Sequence, residues 1–380
     1  MTTEGTHPSA PSRAPERAPE RVRERPWWRP ARIRRLRAAI LCAVAMGAAS
    51  AGSASAETVN IYSYRSPELL KPLLDAFTER TGIETRVLFA TKGLEQRIAA
   101  EGRNSPADVL LSVDVSRLDA ARELGIAAAV DDKTLRDAVP AGARDPGDQW
   151  FGLSRRARVI YASKDRVAQD AITYEELAQP QWKGRVCTRS GQHVYSLGLI
   201  ASMIAHKGEE AARSWLEGLR DNLARKPAGN DRAQVKAIHA GQCDVALGNT
   251  YYMGKMETNE KEPEQKEWAS SVKLIFPNGP GTDAPRGTHV NLSGMVLAKH
   301  APNAEAARKL MRFLVSPEAQ ALYASANFEY PVVDGVPVDE RVARWGRLTS
   351  DELPLSEVAA LRKRASELVD ETGFDDGPSS

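Results

Sequence analysis

The chain has 380 residues, of which 42% are hydrophobic and 27% charged, a composition that excludes both a wholly disordered chain and a membrane bundle. That length exceeds what one hydrophobic core usually serves, so two lobes are expected. The formal charge of +2 is unevenly distributed, and its distribution is informative.

Residues 1–56 hold ten arginines and four glutamates, Pro/Arg-rich at first and then abruptly apolar. Arg32, Arg34, Arg35 and Arg37 precede the stretch AAILCAVAMGAASAG, and Ala54-Ser55-Ala56 forms a small-residue cleavage motif. This pattern predicts an export signal cut after Ala56, leaving Sec and twin-arginine export both open. The apolar run is shorter than the roughly twenty residues of a spanning helix. Without this segment 42 basic and 46 acidic residues remain, a net charge of −4, which argues against a nucleic-acid surface. Of three cysteines, Cys42 leaves with the signal. The remaining pair, Cys187 and Cys243, suggests one disulfide in an oxidising compartment, the alternative being two buried thiols.

From Val59 onward strand and helix patterns alternate, the signature of an α/β domain with a mostly parallel sheet. VNIYSY (59–64) reads as a strand, and Pro67 opens a helix whose leucines and Phe77 recur at helical spacing until Gly82. ETRVLFA (84–90), the helix GLEQRIAAEG (93–102) and ADVLLSVD (107–114) complete a βαβαβ unit. A second series contains RARVIYAS (156–163), WKGRVCTR (182–189), helices at 193–206 and 209–222, and the strand CDVALGNT (243–250). That strand ends at Tyr251-Tyr252, where a helix should begin; ligands gather at such strand ends in open α/β sheets. VKLIFPNG (272–279), HVNLSGMVLA (289–298) and amphipathic helices to the C-terminus follow. The expected architecture is two α/β lobes, 57–157 with 282–331 and 158–281 with 332–380. Residues 156–163 and 282–290 are the expected crossovers, with Arg155, Arg156 and Arg158 on a solvated edge.

Enzyme templates are absent: there is no GxxxxGK[ST] loop, GxSxG elbow, HExxH pair or CxxC. The protein is therefore read as a non-enzyme. His193 and His289 lie nearest the expected cleft, without a second ligand at metal spacing, and are read as hydrogen-bonded or solvated imidazoles. An adjacent tyrosine pair is on its own weak evidence for a site, because one ring would pack and the other lie exposed.

The surrounding segments FTERTGIETRV, NSPADVLLS, GLSRRARVIYAS, WKGRVCTRSG, GQCDVALGNTYYMGK, NLSGMVLAK and EYPV resemble the ferric-ion-binding proteins of bacterial iron uptake transporters. These form a branch of the two-lobed periplasmic binding protein type II fold. The resemblance runs from about Val59 to Pro331. It implies Fe(III) bound by Tyr251 and Tyr252 of the GNTYY motif, with Tyr195 as third phenolate. It also implies a periplasmic monomer serving an ABC permease and its ATPase. Some members of the family carry a ligand histidine after the first strand, and others a glutamate after PADV. Here those places are Ser66-Pro67 and Val113, with Asp114 on the opposite face. What remains is a three-tyrosine site completed by carbonate, which Arg65 would hold. Ser190, Gly191, Asn230 and Asn249 match positions near that anion, and Tyr64 is the spare ligand.

The donor set suits the ion. Fe(III) is small and highly charged and prefers anionic oxygen, and three phenolates balance its charge. A bidentate carbonate would complete six positions. The alternative within this fold is a binding protein for another small anion or a polyamine.

Overall fold

The computed structural model describes residues 57–378; the export segment and its cleavage after Ala56 lie outside the described residues. Among the described residues no helix is long and apolar enough to cross a membrane. The first strands are Thr58–Ser63 (β1), Glu84–Phe89 (β2) and Val109–Ser112 (β3), and β1 pairs in parallel with both others. This is the βαβαβ unit expected from the pattern. Its first helix, Pro67–Thr81, buries Leu70, Leu73, Leu74 and Phe77 and stops at Gly82, whose φ of 71° is the left-handed conformation that glycine adopts without strain.

Six further strands follow: Phe151–Ser163 (β4), Val186–Cys187 (β5), Val245–Asn249 (β6), Val272–Ile275 (β7), Val290–Leu297 (β8) and Tyr330–Pro331 (β9). They run in the order β2-β1-β3-β8-β4-β6-β5, with β7 and β9 also paired to β4. Parallel pairing is confined to β1 with β2, β1 with β3, and β5 with β6. The sheet is mixed because β8 returns antiparallel beside β3, and β4 is antiparallel to all four of its partners.

The organising element is β4. Its first part pairs with β8 and β9, and its second part with β6 and β7, so one strand belongs to both halves of the molecule. It starts five residues before the expected RARVIYAS segment, since Phe151 and Gly152 already pair with β8. Segment 282–290 ends where Val290 pairs with Ala157, placing the two expected crossovers side by side.

A strand flanked on both edges and covered by helices has no solvated edge, and the three arginines on it depart from expectation accordingly. Arg156 and Arg158 are 1% and 2% exposed, and Arg155 is half-buried. Each is anchored: Arg158 pairs with Asp231 at 3.3 Å, Arg156 donates to Ser293 Oγ and the Val113 carbonyl, and Arg155 donates to the Pro331 carbonyl.

Cys187 and Cys243 are disulfide-bonded, with Cα atoms 5.9 Å apart. The bond ties the end of β5 to the residue pair that leads into β6, so it braces the strand carrying the tyrosine motif. It closes a loop spanning 56 positions, and removing such a bond costs about 2–5 kcal/mol in secreted proteins. Thiol titration of the denatured, unreduced mature protein should find no free thiol. The double variant Cys187→Ala/Cys243→Ala should lose that much unfolding free energy in a denaturant titration; two free thiols in the wild type would contradict the pairing.

Candidate metal centre

Tyr251 and Tyr252 open the helix Tyr251–Glu257 directly after β6. Their position is set by a tight junction. The Thr250 N–H donates to the Ala157 carbonyl at 3.0 Å, the Ala157 N–H donates back to Thr250 Oγ1, and Tyr161 Oη donates to the Asn249 carbonyl at 2.6 Å. Gly248 is required here, because a Cβ at that position would stand 2.0 Å from the Tyr161 ring. With the strand end so fixed, the two rings stack at 4.2 Å between centroids.

Tyr195 comes from a different element, the helix Val194–Lys207. His193 caps that helix: its Nδ1 accepts from the Tyr195 N–H at 3.2 Å, and its ring meets the Tyr195 ring edge-on at 4.6 Å. Burial, reinforced by Arg189, pushes His193 down to about 3, so the ring is a neutral acceptor, as its structural reading required. His289 is likewise held near 4, chiefly by burial. The Tyr195 and Tyr251 hydroxyl oxygens lie 3.3 Å apart, and all three tyrosines line one cavity of about 230 Å³. Two helix starts thus deliver three phenols to one cavity, Tyr195 and Tyr251 being 56 residues apart in sequence.

Ser66 and Val113 also line this cavity. They stand where a histidine or glutamate ligand would have been expected, and neither supplies one. Asp114 does not join them, since its carboxylate accepts from Ser116 N–H and Asn291 Nδ2, both at 2.9 Å. Among the described residues no group of three or more His, Cys, Asp or Glu could hold a metal ion, so a metal here would depend on the phenols. Tyr64 reaches the cavity wall, but its hydroxyl donates to Glu95 and accepts from the Leu94 N–H. Burial and Glu95 push it up to about 12. That phenol is committed elsewhere.

The expected anion residues divide. Arg65 lines the cavity, but its terminal nitrogens are engaged: Nη1 donates to Asn327 Oδ1 at 2.8 Å, and Nη2 to Ser293 Oγ and Glu329 Oε1 at 2.9 and 2.7 Å. Ser190, Gly191, Asn230 and Asn249 do not line it. Asp375 occupies the donors of Ser190 and Gly191, at 2.6 and 2.7 Å. Asn230 caps the helix Asp231–His239, and Asn249 Oδ1 accepts from Arg158. Helix starts and turns use these groups internally.

The sequence reading missed Arg156, Arg232, Lys255 and Glu329, which complete the wall. Four cations therefore face the cavity with one carboxylate. Burial opposes ionisation of Glu329, yet Arg65 and Arg156 hold it below the usual carboxylate range. Lys255 is lowered to about 8 by burial and by Arg65. Arg65, Arg156 and Arg232 each have a buried Nε without a hydrogen-bond partner. Unsatisfied buried donors are costly, so this wall is suited to an anion. Lys255 could have been found from its place one helical turn after Tyr251, on the same face.

Burial, with Tyr195 and Tyr252 beside it, raises Tyr251 well above an ordinary phenol, and burial also raises Tyr252. Without a bound cation both hydroxyls keep their protons.

A model of bacterial extracellular solute-binding proteins matches residues 104–349. The chain is 43% identical over 320 residues to iron uptake protein A1 of Synechocystis, covering 84% of this chain and 88% of that protein. The Bordetella ferric binding protein superposes with a TM-score of 0.79 at 47% identity, covering 84% of this chain and 100% of that one. The ferric iron-binding protein A of Mannheimia haemolytica, in an open conformation, gives 0.80 at 48% identity, with the same coverage of 84% and 100%. A family match across most of the described residues, and relatives matched over nearly their whole length, place this chain among the bacterial extracellular solute-binding proteins.

Proposed function

We propose that this protein is the periplasmic solute-binding component of an iron uptake ABC transporter, with Fe(III) as its cargo and Tyr195, Tyr251 and Tyr252 as phenolate ligands. The observation that carries the reading is the convergence of these three phenols on one cavity whose wall has a cationic excess. Three phenolates neutralise Fe(III), and the cations then favour a further anion in the remaining positions; carbonate fits that role by size and charge. A polyamine would meet Arg65, Arg156, Arg232 and Lys255 and be repelled. Arg65 keeps the part of a wall residue, with only Nε wholly unpartnered. Arg232 and Lys255, which carry no such network, are better placed to hold the anion. Partner permease and ATPase follow from the transporter class, and a monomer suffices for the site.

Adding ferric salt to the metal-free protein should produce a visible phenolate-to-iron absorption band. Tyr252→Phe should weaken iron binding at least tenfold, about 1.4 kcal/mol, while a colourless wild-type protein would sink the assignment. Removing bicarbonate should weaken wild-type binding. Arg232→Ala should weaken it by about ten- to a hundredfold, the worth of one charge-assisted contact, and should reduce the response to bicarbonate. Arg65→Ala is a poorer probe, since it would strand the buried Glu329 carboxylate.

Because burial keeps Tyr251 and Tyr252 protonated before loading, binding through their phenolates should release at least two protons per iron near neutral pH, and affinity should fall as pH falls. Titration in buffers of different ionisation enthalpy counts the protons; release of one or none would exclude this ligand set. The lobes proposed from sequence, 57–157 with 282–331 and 158–281 with 332–380, would put Arg65 and the tyrosines on opposite sides of the cleft, so iron should close it. Small-angle scattering should then give a smaller radius for the loaded protein, and superimposable curves would oppose closure.

A further inference from the structure

The β4–β9 ladder has two faces. Arg156 of β4, and Glu329 just before β9, line the phenol cavity. Their neighbours Arg155 and Tyr330, which sit opposite each other in the ladder, line a different cavity of about 530 Å³. Alternation along the strands sends adjacent residues to opposite faces, so the second cavity is separate from the first, with no residue in common.

Three side chains with unpartnered donors line this second cavity, although Arg155 also donates through Nη2 to the Pro331 carbonyl. Tyr330 is 8% exposed and its buried hydroxyl makes no hydrogen bond. The Arg155 Nε is buried and equally unpartnered. Arg347 lines the same cavity from the C-terminal segment and forms no ion pair among the described residues. Burial also raises the Tyr330 phenol and lowers Arg155, which Asp334 offsets only in part, so the phenol remains a donor. Val333, Val336, Val338, Val342 and Leu348 supply an apolar wall, and Asp334 is the one carboxylate. Arg155 and Arg347, with Leu348 and Ser350, also line a cavity of about 460 Å³, but that one contains Asp351 and Glu352, which disfavour an anion.

We propose that the 530 Å³ cavity is a second ligand site, built for a small organic carboxylate with a compact apolar body. Its carboxylate takes the free donors of Arg155, Arg347 and Tyr330, and its body lies against the valines. The volume lies within the range of small-molecule pockets, about 300–1,000 Å³. Charge-assisted guanidinium contacts provide the polar anchor.

The test is equilibrium dialysis of the metal-free mature protein with radiolabelled benzoate. Saturable binding is expected, weakened about tenfold by Arg347→Ala, as loss of a charge-assisted contact predicts, and about threefold by Tyr330→Phe, as loss of a neutral hydrogen bond predicts. Both variants should fold, since Arg347 is exposed and the lost Tyr330 hydroxyl bonds to nothing. Ferric colour should develop in Arg347→Ala as in the wild type. Absence of saturation at millimolar benzoate would overturn the proposal. So would binding that survives Arg347→Ala but is lost in Lys255→Ala, since the anion would then occupy the phenol cavity.

Discussion

The positive charge buried around the three phenols constrains everything else at this site. Arg65, Arg156, Arg232 and Lys255 face a cavity with Glu329 as their only carboxylate on its wall, and burying charge without compensation is expensive. The protein meets part of that cost internally. Arg65 is locked to Glu329, Ser293 and Asn327, and Arg156 to Ser293 and the Val113 carbonyl. Just outside the cavity Arg158 and Arg189 share Asp231, each at 3.3 Å. These pairings are made within the protein itself, so the wall is organised in advance. Preorganised donors of this kind cost no rearrangement on binding.

The buried charge can be positioned because β4 is shared between the two halves of the sheet. A single strand paired with β8 and β9 at one end and β6 and β7 at the other carries Arg155, Arg156 and Arg158 through the centre of the molecule. Alternation assigns Arg156 to the phenol cavity and Arg155 to the cavity behind it. The same ladder therefore borders both spaces. A helix could not have done this with adjacent residues, since they would lie on the same broad flank instead of opposite faces.

The strands and helices were legible because their periodicity is local. Gly82 ends its helix where the pattern placed it, and the helix at Tyr251 begins where the strand pattern stops. The tyrosines were legible through the GNTYY segment and its context. The arginines were not, since three arginines in four positions look like a solvated edge until pairing on both sides of β4 is known. Ser190 and Gly191 misled for a related reason. A helix start does attract a carboxylate, but the one it finds is Asp375, 184 residues beyond Gly191 in the chain. Glu329 lay in a recognisable EYPV segment, yet nothing local announces that Arg65, 264 residues away, is its partner.

The phenols themselves bear on how the proposed ferric cargo would be accommodated among cations. Tyr195 and Tyr251 bring their oxygens to 3.3 Å, a separation at which two phenolates would repel strongly in a buried space. Burial and the neighbouring phenols accordingly raise Tyr251 far above its ordinary value, so its hydroxyl keeps its proton and lies within hydrogen-bond reach of the Tyr195 hydroxyl. Desolvation is the largest cause of that rise, and a multivalent cation is the kind of ligand that could overturn it. On the proposed function, loading would exchange protons for metal, and the net charge of the cavity would change little.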